Sequence, residues 1–168
     1  MNPKMQGKAH VFGNNINTDY IISGKYKFKS TDMKELSTHL MEDIRPDFHK
    51  EIEKGNFIVG GTNFGMGSSR EQAPLVIQAA GISAVLAQSF ARIFFRNCIN
   101  VGLPVIECDT SQISEGDELS VDLESGIVIN RTTGQHIKAV PLPSVMVKIL
   151  NEGGLAEHFQ KHGGFNLE

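Results

Sequence analysis

Apolar positions along this chain follow two patterns. Between residues 31 and 107 they recur at helical spacing or gather in short unbroken runs, and from residue 116 they alternate with polar ones. Leu36, Leu40 and Ile44 repeat every four residues, with Met33 and Met41 widening the stripe. This predicts a helix over residues 32–44, capped by Thr31 or Asp32, carrying Glu35 in its first turn and ended by Pro46. Residues 48–53 predict a short second helix stopped by Gly55. Residues 72–80 predict another, closed by Gly81. Residues 83–87 are almost entirely apolar, as in a strand covered on both faces. Residues 90–100 predict a further helix with Gly102 as its stop. Residues 103–107 predict a strand with Pro104 near its entrance, where a sheet tolerates it. Residues 118–123 then alternate with period two, and residues 126–130 and 135–139 follow after short turns. These read as antiparallel hairpins, a β-rich lobe beside the α/β part. Residues 144–150 and 154–161 predict closing helices. At the start of the chain, residues 8–12 suggest a first strand. Residues 25–29 alternate Lys with Tyr26 and Phe28, which fits either an edge strand or an exposed functional loop.

The chain is organised around Gly60-Gly61-Thr62-Asn63-Phe64-Gly65-Met66-Gly67-Ser68-Ser69-Arg70-Glu71-Gln72. Phe57-Ile58-Val59 leads in as a strand and a helical run leads out. A strand, a glycine-rich turn and a helix start together present backbone N–H groups to an anion. Ser69 and Gln72 stand three apart, as in a capping box, while Pro74 predicts a kinked or delayed first turn.

The totals narrow the class. A chain of 168 residues, with no internal repeat and no low-complexity linker, fits one domain over residues 1–168. A formal charge of −3, no basic stripe and no Trp give nucleic-acid binding little support. No run approaches membrane-spanning length and residues 1–6 lack an apolar signal core, so a cytoplasmic protein is expected. Cys98 and Cys108 are too few for a cluster or zinc site and read as buried free thiols. The six histidines form no evident ligand pair on a helix face, so no metal is expected on this chain.

Candidate chemistry centres on Ser68, Ser69 and Arg70. Ser69 is read as a helix cap or a binding group, and Ser68 as a turn hydroxyl or a proton-transfer group. Such a hydroxyl is a poor base at neutral pH unless its alkoxide receives strong electrostatic help. Arg70 is read as a surface charge or as a bidentate partner for a substrate carboxylate. Asp19, in the turn-rich early loop, orients Arg70, binds substrate or caps the loop. Arg92 and Arg96, four apart on a helix, support a sheet edge, contact a partner or pin the loop. The stretch is neither a P-loop, a dinucleotide fingerprint nor a nucleophile elbow. No acid–base pair, metal cluster or cofactor fingerprint completes the site. That points to an anion-binding half-site finished by another polypeptide.

Gly65-Met66-Gly67-Ser68-Ser69-Arg70-Glu71-Gln72-Ala73 resembles the Gly-x-Gly-Ser-Ser-Arg-Glu-His-Ala signature of the aconitase superfamily's swivelling domain. Asn17-Thr18-Asp19-Tyr20-Ile21-Ile22-Ser23 resembles its Asp-Thr-Asp-x-Ile-x-Pro element, and Ala91 to Asn97 and Asn100 to Pro104 resemble two further blocks. The resemblance spans nearly the whole chain and is nearest to small subunits of the isopropylmalate dehydratase type. It implies a β/β/α swivelling domain, with a mixed sheet flanked by helices. It also implies a partner large subunit carrying a [4Fe–4S] cluster, none being bound by this chain. The implied activity is that of a hydro-lyase subunit, a leucine-pathway component, acting on a branched hydroxy-dicarboxylate. Isopropylmalate is the expected substrate, with 2,3-dimethylmalate or citramalate as alternatives; a non-catalytic anion-binding regulator is the competing class. By the family's roles, Ser68 removes a proton as an alkoxide, Arg70 binds a substrate carboxylate, and Asp19 is the acidic residue beside the site. Ser69, Thr18 and Gly67 add substrate contacts. Tyr26, Phe28 and Lys29 occupy the loop that sets specificity, where an apolar Phe28 favours an alkyl group by about 1–3 kcal/mol. Gln72 stands where the family has His, Ser23 where it has Pro, and Lys27 where it has an apolar residue.

Overall fold

The computed structural model describes residues 4–26 and 31–164. Seven strands form one mixed sheet in the order β4-β3-β2-β1-β5-β6-β7. They are β1 (Lys4–Val11), β2 (Phe57–Val59), β3 (Ala84–Ala87), β4 (Val105–Glu107), β5 (Glu118–Asp122), β6 (Ile127–Asn130) and β7 (His136–Lys138). Helices α1 (Thr18–Ile21), α2 (Met33–Leu36), α3 (Gln72–Ala79), α4 (Arg92–Val101), α5 (Ser144–Asn151) and α6 (Leu155–His162) flank it. This is the mixed sheet with flanking helices that the swivelling-domain resemblance implies.

β1 joins two kinds of sheet. Its first part pairs antiparallel with β5, Lys4 opposite Asp122 through Lys8 opposite Glu118. Its last part pairs parallel with β2, Ala9 opposite Phe57 through Val11 opposite Val59. The expected β-rich lobe is therefore an extension of the same sheet. On the parallel side every residue of β2 and β3 is buried, as strands covered on both faces require. On the antiparallel side β5 and β6 alternate, burying Leu119, Val121, Val128 and Asn130. Asn130 is satisfied there by donating from Nδ2 to Asp117 at 2.8 Å.

The predicted helix over residues 32–44 does not form as one element. Only α2 is α-helical; a 3-10 turn over Ser37–His39 follows. Met41 then takes a left-handed backbone, φ 56°, and its N–H donates to the Ile21 carbonyl rather than along a helix. The hydroxyls of Ser37 and Thr38 donate to the carbonyls of Lys34 and Glu35, competing with helical bonding. Leu36, Leu40 and Met41 are buried as the stripe implies, but Ile44 is 40% exposed. Residues 48–53 likewise shorten to a 3-10 turn, Phe48–Glu51. Residues 25–29 are described only as far as Tyr26, within the 3-10 turn Gly24–Tyr26, so Lys27, Phe28 and Lys29 lie outside the described residues.

Candidate active site

The site grows from the loop between β2 and α3. The early segment of the chain is laid alongside it: Asn15 N–H donates to the Thr62 carbonyl, Gly65 N–H to Ile16, and Thr18 N–H to Met66, at 2.8–2.9 Å. Asn17 and Met66 form a parallel bridge. Thr18 Oγ1 donates to the Ser68 carbonyl at 2.6 Å. The two loops thus behave as one unit, and glycines make their approach possible. At Gly67, φ +94°, a Cβ would lie 2.6 Å from Asn17 Oδ1; at Gly65, φ +84°, it would lie 2.2 Å from the Phe94 ring. Asn17 Oδ1 meanwhile accepts from Asp19 N–H at 2.9 Å and caps α1, which fixes Asp19.

Arg70 is the centre of the arrangement. Its Nη2 donates to Asp19 Oδ1, closing an ion pair across the two loops. The guanidinium packs on Gly24, where a Cβ would lie 3.0 Å from Nη2. Its Nε is buried and has no hydrogen-bond partner among the described residues. The side chain is 19% exposed against 53% for Asp19, so this is a largely sheltered cation with, among the described residues, one carboxylate partner and an unused Nε.

The expected capping box does not form. α3 begins at Gln72, its N-cap is Glu71, and no side chain caps it. Pro74 is the cause: placed third in the helix, its missing N–H costs nothing and the helix starts late. Ser69 is thereby left exposed at the turn rather than tied to a helix end.

A cleft of about 220 Å³ opens beside this turn. Thr18, Gly65, Gly67, Ser69 and Arg70 form one wall, and Ala91, Arg92, Ile93, Phe94 and Asn97 of α4 and its cap form the other. The α4 wall is tied to the loop by Ala91 N–H donating to the Phe64 carbonyl at 2.9 Å. Among the described residues two guanidinium groups and no carboxylate line the cleft, so it favours an anion, while Ala91, Ile93 and Phe94 offer apolar surface. A larger depression of about 630 Å³ lies on the antiparallel half, bounded by Lys4, Ser120, Asp122, Ile127 and Arg131. It holds none of the motif residues, and volume is a poorer guide here than the convergence of polar groups.

The structure therefore brings Ser69, Arg70, Thr18 and Gly67 together at the cleft, with Asp19 paired to Arg70. Thr18 is buried and engaged with the loop, so its hydroxyl braces the turn. Ser68 sits exposed between Gly67 and Ser69 with its carbonyl anchored by Thr18. Tyr26 is turned to other partners: its hydroxyl donates to Glu42 at 2.8 Å and its ring stacks on His39 at 3.8 Å between centroids. Arg92, read from the sequence together with Arg96 as a sheet-edge support, a partner contact or a loop pin, lines the cleft instead; Asn97, five residues on in α4, lines it too and carried no sequence reading. Gly24, at the end of the early turn-rich loop, carried no sign in the sequence that it would lie beneath Arg70.

Cys98 and Cys108 are both buried and free. Burial raises both thiols, Cys108 to about 12, so as free groups both are protonated at neutral pH. The histidine reading needs correction. α6 extends through His162, so His158 and His162 lie one turn apart on one helix, and both meet Glu152. The predicted end at residue 161 had cut the pair. Among the described residues no helix is long and apolar enough to cross a membrane.

Residues 8–111 match the model of the aconitase C-terminal domain. Over 98% of its length the chain is 56% identical to 3-isopropylmalate dehydratase small subunit 2 of Archaeoglobus fulgidus, covering 99% of that protein. It is 50% identical to the isopropylmalate/citramalate isomerase small subunit of Methanocaldococcus jannaschii, over 94% of both chains. A solved structure of 3-isopropylmalate dehydratase from Methanocaldococcus jannaschii superposes with a TM-score of 0.91 at 42% identity, covering 95% of each chain. With the Gly-Ser-Ser-Arg turn, the sheet and these likenesses in agreement, the chain belongs to the aconitase C-terminal domain family.

Proposed function

We propose that this chain is the small subunit of a heteromeric hydro-lyase that isomerises a branched 2-hydroxy-dicarboxylate of the isopropylmalate class, by removing and re-adding water. The observation that carries this reading is Arg70, held by Asp19 on a glycine-built turn and lining a cleft that, among the described residues, no carboxylate lines. A carboxylate entering the cleft would meet the Arg70 guanidinium and gain a charge-assisted hydrogen bond. Two cysteines are too few to hold an iron–sulfur cluster, so such a group would sit on the large subunit that the relatives' names imply. Bound there, it would supply a Lewis acid for the departing hydroxyl.

The residues of this chain have the complementary task. Arg70 binds one substrate carboxylate and fixes the carbon skeleton against Ser68 and Ser69. Ser68 takes the proton from the carbon beside the one bearing the hydroxyl and returns it in the reverse sense. Its alkoxide is stabilised by the Arg70 charge next in the turn and by backbone N–H groups. Ile93, Phe94 and Ala91 receive the alkyl branch. A methyl-bearing substrate of the citramalate class is the second reading, favoured by the name of the 50% identical isomerase subunit.

The test is anaerobic reconstitution with a cluster-loaded large subunit, assayed across isopropylmalate, citramalate, dimethylmalate and homocitrate. The expected result is turnover by the pair alone, highest kcat/KM for isopropylmalate, and none by the isolated chain. Turnover by the chain without a partner, or a pair that prefers homocitrate, would overturn the reading.

A further inference from the structure

The second concentration of chemically able side chains lies away from the cleft, at the turn between α5 and α6. Glu152 caps α5, Gly153 and Gly154 follow with φ +96° and +124°, and α6 begins at Leu155. The turn is pressed onto the end of α4: a Cβ at Gly154 would lie 2.6 Å from the Asn100 carbonyl oxygen. Glu152 is thus fixed relative to α6. Its Oε2 lies 2.9 Å from His158 Nδ1 and its Oε1 lies 2.9 Å from His162 Nε2. The imidazole centroids are 4.8 Å apart. His158 is fully buried, and the side chains of Glu152 and His162 are 11% and 19% exposed.

We propose that Glu152, His158 and His162 form a site for a divalent transition-metal ion of the zinc class. One donor atom from each side chain lies within 4.8 Å of the others. Two imidazoles and a carboxylate are the ligand types zinc takes, and the imidazoles disfavour calcium and magnesium. Metal–nitrogen and metal–oxygen bonds of about 2.0–2.2 Å require the donors to draw inward from this spacing. His162 lies at the partly exposed C-terminal end of α6. On binding, each facing nitrogen exchanges its N–H···O contact with Glu152 for a bond to the ion, and the imidazole proton moves to or stays on the other ring nitrogen. Water fills the remaining coordination.

The role is structural. The ion would staple α5 to α6 across the Gly-Gly turn, and both helices pack on α4, the helix that carries Arg92 and Asn97 into the cleft. This inference is independent of the hydro-lyase reading.

The experiment uses tag-free, chelator-stripped full chain. Zn²⁺ is titrated by calorimetry and Co²⁺ is followed by visible absorption, with Glu152→Gln and His162→Gln alongside. The expected result is one Zn²⁺ per chain with micromolar or tighter Kd, d–d bands on Co²⁺ addition, and at least about tenfold weaker binding in each variant. A hundredfold excess over Kd should raise Tm by about 5–10 °C. His162→Gln, partly exposed at a helix end, decides the matter if Glu152→Gln fails to fold. Binding weaker than about 0.1 mM, or equal affinity in wild type and His162→Gln, would overturn the proposal and leave a purely hydrogen-bonded clasp.

Discussion

Arg70 holds two opposed properties. Its Nη2 bond to Asp19 fixes it in place, while its buried Nε has no partner among the described residues. An unsatisfied buried donor costs about 1–3 kcal/mol. Asp19 is more than half exposed, so losing its partner strands no buried charge. Removing Arg70 should therefore be mild for the fold and severe for the reaction. Arg70→Gln is expected to leave Tm within about 2 °C of wild type, or raise it. In the reconstituted pair it should lower kcat/KM by about 10³-fold or more. Thermal melts and steady-state kinetics on the same preparation check both halves; a large loss of Tm would make Arg70 a structural residue instead. The family motif made Ser68, Ser69, Arg70 and Asp19 legible in sequence. The motif could not show that Ser69 escapes capping, because that depends on Pro74 delaying α3. Nor could it show Gly24 under the guanidinium, since that contact joins residues 46 positions apart.

At the scale of elements, short apolar strands and glycine-closed helices were readable, because local spacing decides them. α3, β3, α4 and the hairpin strands fall within a few residues of their expected bounds. The stretch after Asp32 failed because its apolar spacing is helical but its backbone is set by distant partners. Met41 bonds to Ile21, and Arg45 bridges to two acids. Arg45 Nη2 donates to Glu51 at 2.8 Å and to Glu115 at 2.9 Å, and the guanidinium lies over Phe12 and Phe48. His10 Nδ1 and Val11 N–H also meet Glu115. Hydrogen bonding to Arg45 holds Glu51 below the usual carboxylate range. For Glu115, burial pushes upward, but the bonds from Arg45 and Val11 prevail and hold it down as well. Depressed carboxylates stabilise the fold above their unfolded pKa, and that stabilisation is lost as pH falls through the folded values. Arg45→Met, which keeps the apolar stem over the rings, should cost at most about 1 kcal/mol at pH 7, both acids being nearly half exposed. The Tm gap to wild type should narrow steadily below about pH 4. A gap that widens in acid would show that the acids are not the partners that matter.

Across the molecule, one continuous sheet carries both halves, because β1 changes partner and direction midway along its length. Alternation in residues 118–139 showed hairpins but not the strand they extend, since register between distant segments leaves no local trace. The sheet sets β2 so that its following loop meets both the early segment and the start of α4, and that junction is the cleft. We propose that the site is divided between two polypeptides, with the Ser68 hydroxyl on this one transferring the proton. The direct measurement is kcat of the anaerobically reconstituted pair carrying Ser68→Ala, with assembly verified by co-elution. A fall of about 10²–10⁴-fold with KM little changed is the predicted result; a wild-type kcat from a correctly assembled Ser68→Ala pair would contradict it.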